Sequence, residues 1–148
     1  TRRSSDLDKR IRNVFAVVYR GELYFQLRGI LKNKSEDDGS QDNDQPNSFA
    51  RVMFGGDHYY YLEANIGNAF SKAFGASVGG GVGVAMSYSG RDVEKGLVWD
   101  IKHKEFNIFK NCKDYNEFIK PFDAADVQDC KGNNLNLQKI RQAIAKIK

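Results

Sequence analysis

Two hydrophobic patterns follow each other along this chain, and their order constrains its fold more than any other sequence feature. Up to residue 109 the apolar residues fall largely in short β-branched and aromatic runs, which are typical of strands. After Lys110 they recur at helical spacing. Strands first and helices last predict an α+β protein: an antiparallel β-meander, or a small β-barrel or sandwich, followed by a C-terminal helical part over residues 111–148.

The strand-forming part of the chain predicts three hairpins, because turn residues separate its apolar runs in pairs. The paired runs are residues 14–19 with 23–27, 49–54 with 58–66, and 96–101 with 105–109. Ile30 and Leu31 are expected to extend the second run. In the fourth run, alternation places Tyr60 on one face of the sheet and Tyr59 and Tyr61 on the other.

The helical pattern predicts short helices over residues 114–119 and 124–129, and a longer one that Asn134 opens. Residues 5–12 predict a further short basic helix near the start of the chain. The longer helix carries an apolar stripe formed by Leu137, Ile140, Ile144 and Ile147. Such a stripe indicates a helix that packs on the sheet with one face.

Residues 75–87 alternate between small side chains at odd positions and mostly apolar ones at even positions. Read with a two-residue period, they predict a strand with one smooth face, on which a ligand or another backbone can lie directly. Read with a helical period, they resemble the small-residue spacing of helices packed in a membrane. Three consecutive glycines disfavour the helix, so the strand is favoured. The predicted ligand-facing residues are Gly75, Ser77, Gly79, Gly81 and Gly83.

The 148 residues are expected to form a single domain, with a basic segment over 1–12 and an acidic flexible loop over 33–48. The formal net charge of +4 favours anionic partners without specifying one. Basic residues without acids cluster at the end of the sequence. The residues predicted to contact an anionic surface are Lys139, Arg141, Lys146 and Lys148; the alternative is a solvated helix face.

Two cysteines, Cys112 and Cys130, flank a short segment. They form either a structural disulfide or a pair of buried thiols, depending on the compartment. Asn33-Lys34-Ser35 is a glycosylation sequon, and the sequence begins at Thr1 without a signal peptide, as a mature form would. Together these features favour a secreted or otherwise extracytoplasmic protein.

Catalysis has one motif in its favour. Gly75-Ala76-Ser77-Val78-Gly79 matches the G-x-S-x-G nucleophile pattern, and Asp92, Asp100 and His103 follow in the order that such hydrolases use. A nucleophile elbow also needs a helix directly after the serine, and more glycine strand follows here. Ser77 is therefore a weak catalytic candidate.

His103 is a second weak catalytic candidate, because Lys102 and Lys104 flank it and Glu105 follows. A small nuclease could use such a histidine for acid–base chemistry and the lysines to hold phosphate. The alternative is an exposed turn histidine without a catalytic role. Glycine-rich phosphate-binding loops and the close ligand spacings of zinc sites are missing from the sequence, so neither a cofactor nor a metal is expected.

The segment 75–81, the Ser87-Tyr88-Ser89 triplet and Lys95-Gly96-Leu97 resemble the glycine-rich core and the following S-Y-S and G-L segments of SYLF lipid-binding domains. The resemblance is partial, because SYLF domains are longer and the first half of this chain has no counterpart in them. It implies binding to anionic, phosphoinositide-like lipids.

Three functions remain open at this point. The favoured one is a small, secreted, non-enzymatic β-rich protein, such as a toxin or virulence factor, that engages a membrane surface or an apolar ligand. The first alternative is a small hydrolase or nuclease effector that uses His103. The second is a structural or protein-interaction module, which includes self-association; nucleic acid is a less favoured partner.

Overall fold

A computed structural model of the protein describes residues 14–35, 46–66, 94–133 and 135–148. Within these residues, six strands form one antiparallel sheet in which sequence neighbours are also spatial neighbours. The strands are β1 (Ala16–Tyr19), β2 (Glu22–Gln26), β3 (Phe49–Gly55), β4 (Tyr59–Ala64), β5 (Lys95–Asp100) and β6 (Glu105–Phe109), and the helices are α1 (Leu27–Lys32), α2 (Cys112–Ile119) and α3 (Leu137–Ile147). The predicted α+β class is confirmed, and the sheet is an open meander rather than a closed barrel.

The three predicted hairpins are confirmed as β1–β2, β3–β4 and β5–β6. In the first, Arg20 and Gly21 both have positive φ (52° and 82°), which is the backbone of a two-residue turn that matches the strand twist. Because the strands form a meander, the three turns lie at one end of the sheet, with neighbouring turns about 10 Å apart. We call this the hairpin end; it comprises residues 20–21, 56–58 and 101–104.

The sheet is covered on both faces, and alternation along β4 and β5 divides their side chains between two cores. Tyr60 packs against one core and Tyr59 and Tyr61 belong to the other, as the sequence predicts. The first core lies under α1 and includes Phe25, Leu27, Ile30, Leu62, Leu97 and Phe106. The second lies under α2 and α3 and includes Tyr61, Val98, Phe109, Tyr115, Ile119, Ile140 and Ile144.

The predicted extension of the second strand through Ile30 and Leu31 is wrong. The chain turns into α1 after Gln26, and helical spacing buries both Leu27 and Ile30, which are 6% and 0% exposed. The Asn33 side chain ends the helix by donating a 2.7 Å hydrogen bond to the Gly29 carbonyl. A short apolar run of this kind does not distinguish strand from helix by periodicity.

The predicted C-terminal helices shift at their boundaries. Only Ala124–Asp126 forms a helical turn in the region predicted as a helix over 124–129. The longer helix, predicted to open at Asn134, begins at Leu137, where the side chain of Asn136 accepts a hydrogen bond from the Lys139 amide at 3.1 Å. Between Ala124–Asp126 and the longer helix, the buried side chain of Gln128 exchanges two hydrogen bonds with the backbone of Asn136, which holds these two residues together.

Several predicted segments lie outside the described residues. They are the basic segment over 1–12, the central part of the acidic loop over 36–45, and the glycine strand over 75–87. The start of the expected flexible loop is anchored instead, because the Phe106 amide donates to the Asn33 carbonyl and the Ser35 amide donates to the Phe106 carbonyl. Residues 33–35 therefore add a short parallel bridge to the outer side of β6.

Candidate functional site

The β5–β6 turn holds a carboxylate and an imidazole in contact. The side chain of Asp100 is 9% exposed, and its Oδ2 lies 2.7 Å from Nδ1 of His103, whose side chain is 60% exposed. The Asp100 Oδ1 accepts the backbone amide of His103 at 2.9 Å, which fixes the turn. The arrangement orients the ring and leaves its Nε2 edge facing away from the carboxylate. In the sequence, Glu105 is the acid nearest to His103. In the folded turn, the imidazole of His103 contacts the carboxylate of Asp100 instead.

Three aromatic rings lie beside this turn, and we call them the aromatic patch: Tyr59, Phe118 and Phe122. Tyr59 is paired with Asp100 across β4 and β5, so their side chains share a face of the sheet. Its ring meets Phe118 and Phe122 edge-on, with centroids 5.7 and 5.9 Å apart. Burial and the nearby Asp100 carboxylate raise the pKa of Tyr59 above its ordinary value. Phe122 remains 48% exposed, so its ring contacts Tyr59 and Phe118 and also faces solvent.

The segment that carries Phe122 is fixed at both ends. A disulfide joins Cys112 to Cys130, and within the loop it closes, Asn116 and Gln128 exchange two hydrogen bonds of 2.8 and 2.9 Å. Tyr115 is fully buried and donates from its hydroxyl to the Asp126 carbonyl. Burial, together with the charge of Asp126, raises the pKa of Tyr115 to about 12. The loop that carries the exposed Phe122 ring is therefore held in place by the disulfide and by these hydrogen bonds.

The hairpin end carries four exposed cations, one or more at each turn. They are Arg20 at the first turn, Lys148 packed on the second, and Lys102 and Lys104 at the third. The backbone of Lys148 lies so close to Gly56 that a Cβ there would approach its carbonyl carbon to 2.6 Å. The acids of this end are Glu22, Asp57, Glu105 and Asp100; Glu22 is bound to Arg51, and Asp100 is bound to His103. Cations therefore outnumber free acids at the exposed rim.

Four cations near the end of the sequence were predicted to contact an anionic surface, and the structure places two of them in ion pairs. Arg141 binds Glu63 through two hydrogen bonds of 2.7 and 2.6 Å, and Lys146 binds the Asp126 carboxylate at 2.7 and 2.8 Å. These two charges are neutralised within the protein. Lys139 is exposed on the helix surface, and the Lys148 ammonium lies 5.5 Å from the Phe54 ring centroid. The partner acids are distant in sequence, so residue spacing gave no sign of these pairs.

The other predicted site residues are only partly located. Ser77 and the predicted ligand-facing glycines lie outside the described residues. Within residues 14–35, 46–66, 94–133 and 135–148, no three His, Cys, Asp or Glu side chains lie close enough together to hold a metal ion. Of the two states open to Cys112 and Cys130, the structure has the disulfide.

Comparison of the chain with protein-family models, with curated proteins and with solved structures found no match. In the part of the chain that the structure describes, no helix combines the length and apolar character needed to cross a bilayer.

Proposed function

We propose that this protein is an extracytoplasmic, non-enzymatic binding protein that docks on an anionic membrane surface through its hairpin end. The observation that carries the proposal is the exposed Phe122 ring, held against Tyr59 beside a cationic turn. The disulfide between Cys112 and Cys130 supports an oxidising compartment. The resemblance to SYLF lipid-binding domains points to the same class of ligand.

The proposed interaction combines two physical contributions. Exposed lysines near an anionic bilayer contribute on the order of 1 kcal/mol each, and salt screens this attraction. An aromatic ring that sits at the headgroup level adds apolar burial. Because Tyr59 and Phe118 hold Phe122 in place, little side-chain freedom is lost when the ring is buried. The turn cations Lys102 and Lys104 lie on the hairpin that adjoins this ring.

Vesicle flotation tests the proposal. The protein is expected to float with anionic vesicles at low salt, to float weakly with neutral vesicles, and to be released as salt increases. Substituting Lys102→Gln together with Lys104→Gln should weaken flotation several-fold. The matched control is Lys113→Gln with Lys139→Gln, which removes the same charge from exposed positions in the first turns of α2 and α3, away from the hairpin end.

Two results would overturn the proposal. One is equal absence of flotation with neutral and anionic vesicles at low salt. The other is equal weakening by the two double variants, which would show that only net charge matters and that the hairpin end is not the contact.

A second candidate function rests on the Asp100–His103 contact. A buried carboxylate on Nδ1 orients an imidazole for acid–base chemistry at its other nitrogen, as a small hydrolase or nuclease effector would require. In this case His103→Ala abolishes hydrolysis of ester or nucleic-acid substrates, whereas His58→Ala, at the neighbouring turn, retains it. Hydrolysis that is indifferent to His103→Ala would exclude this assignment.

A further inference from the structure

Strand β1 is an outer strand of the sheet that the described residues form, and its own residues carry none of the features that usually block pairing with another strand. In the described part of the chain it pairs with β2 alone. Ala16–Tyr19 contains no charge and no proline, and its pairing with β2 runs without a bulge. Outer strands of soluble sheets are usually protected by one of these devices. Val18 and Tyr19 are also 72% and 58% exposed.

The register of β1 determines which backbone groups point outward. The Phe15 carbonyl accepts a hydrogen bond from the Gln26 amide at 3.0 Å, so the backbone of Phe15 faces β2. Backbone groups of successive strand residues point to opposite edges. Val17 and Tyr19 therefore also face β2, and the amide and carbonyl groups of Ala16 and Val18 point away from the sheet.

These four outward-pointing backbone groups can form hydrogen bonds with the same four groups of a second copy that is related by two-fold symmetry. When two β1 strands meet antiparallel with Val17 opposite Val17 of the second copy, Ala16 lies opposite Val18 in both directions. Each Ala16–Val18 pair exchanges two hydrogen bonds, so all four groups of each strand are satisfied. The two-fold axis places no charge of Ala16–Tyr19 near its symmetry mate, because the strand has none.

We propose that β1 is a self-association edge, through which the six described strands of one copy and those of a second copy join into one continuous antiparallel sheet. The exposed Val18 side chain packs beside Ala16 of the second copy on the face that carries the first core, because the partner of Val18 in β2, Leu23, packs on that core. A four-residue strand makes a small interface, so the dimer is weak and concentration-dependent.

Sedimentation velocity from about 1 µM to about 1 mM protein tests the proposal, with dimer expected in the upper part of that range. Val18→Lys should weaken dimerisation at least tenfold, because it brings a charge to the edge of each strand. Met53→Lys is the matched control: it adds the same charge at a partly exposed position on β3 and should leave the dimer unchanged.

Amide hydrogen exchange locates the interface without any substitution. Exchange at Ala16 and Val18 should slow as the protein concentration rises, while exchange at Val17, which already bonds β2, should not change. A protein that stays monomeric at about 1 mM overturns the proposal. So does a dimer that withstands Val18→Lys, or one that forms without protecting Ala16 and Val18.

Discussion

Glu63 on β4 is a carboxylate whose state depends on a residue 78 positions later in the sequence. Its side chain is 5% exposed and accepts hydrogen bonds from Arg141 and from the Tyr61 hydroxyl. Burial alone would raise the pKa of Glu63, but the hydrogen bonds from Arg141 and Tyr61 and the Arg141 charge hold that pKa below its ordinary value. The same contact raises the pKa of Arg141. The pair therefore attaches α3 to the sheet by charge as well as by packing.

Replacing Arg141 with glutamine should destabilise the protein, because a nearly buried carboxylate then loses its cation and two hydrogen bonds. The urea midpoint of Arg141→Gln is expected to fall well below that of Lys139→Gln, which removes an exposed charge from the same helix. Equal midpoints for the two variants would show that the pair contributes nothing to stability.

The same pair predicts a dependence of stability on pH. Because the pKa of Glu63 is lower in the folded protein than in the unfolded chain, its contribution is complete above about pH 4.5 and is lost as the pH falls through the folded-state value. The free energy of unfolding of the wild type should therefore decrease more steeply on acidification than that of Arg141→Gln. Parallel pH profiles for the two proteins would contradict this assignment.

At the scale of elements, the segment between α2 and α3 is ordered although little of it is helical. The disulfide closes a loop between residues 18 positions apart, and polar contacts of Asn116 and Gln128 hold the chain inside it. Tyr115 contributes a hydrogen bond to the Asp126 carbonyl from within the second core. Phe122 belongs to this loop, so the position of its exposed ring depends on the disulfide and on these hydrogen bonds.

Removing the disulfide by Cys112→Ser with Cys130→Ser should lower stability by about 3 kcal/mol, because the unfolded chain regains the freedom of the loop. The fold is expected to persist, since the hydrogen bonds of Asn116 and Gln128 remain. Chemical unfolding of the double variant, compared with the oxidised wild type, measures the difference. A midpoint equal to that of the wild type would mean that these polar contacts alone restrict the loop.

At the scale of the whole molecule, two cores share one sheet. Leu97 and Val98 are neighbours in β5, and each is fully buried in a different core. Loss of either helical layer therefore exposes one face of strands whose other face belongs to the remaining core. The described residues are expected to unfold as one cooperative unit.

Replacing Ile144 with alanine tests this cooperativity. Ile144 is fully buried on the face of α3 that packs on the sheet, so the cavity should cost about 2–4 kcal/mol. Trp99 packs against the opposite core, and its fluorescence midpoint should fall together with the circular dichroism midpoint. Gln142→Ala, at an exposed position of the same helix, is the control. A fluorescence midpoint that stays at the wild-type value would show two independent units.

Much of the fold followed from local patterns in the sequence. The hairpins were predictable because each pairs adjacent runs across a short turn, and Gly21 marks a backbone that other residues adopt at a cost. The α1 helix was missed because Leu27, Ile30 and Leu31 fit both periods, and contact with the sheet decided between them. The Asp100–His103 contact was only partly predictable from the sequence. Both residues were named as candidates, but their contact depends on the conformation of the β5–β6 turn.

By itself, the sequence determined the three hairpins, their order and the α+β class, because periodicity and turn residues act over short distances along the chain. The tertiary structure decided which charges remain available at the surface. It placed Arg141 and Lys146 against acids from other elements, and it brought Phe122 beside the β5–β6 turn. Ion pairs and ring contacts between distant segments form only when the sheet fixes the distance between those segments. The spacing of residues along the chain does not predict that distance.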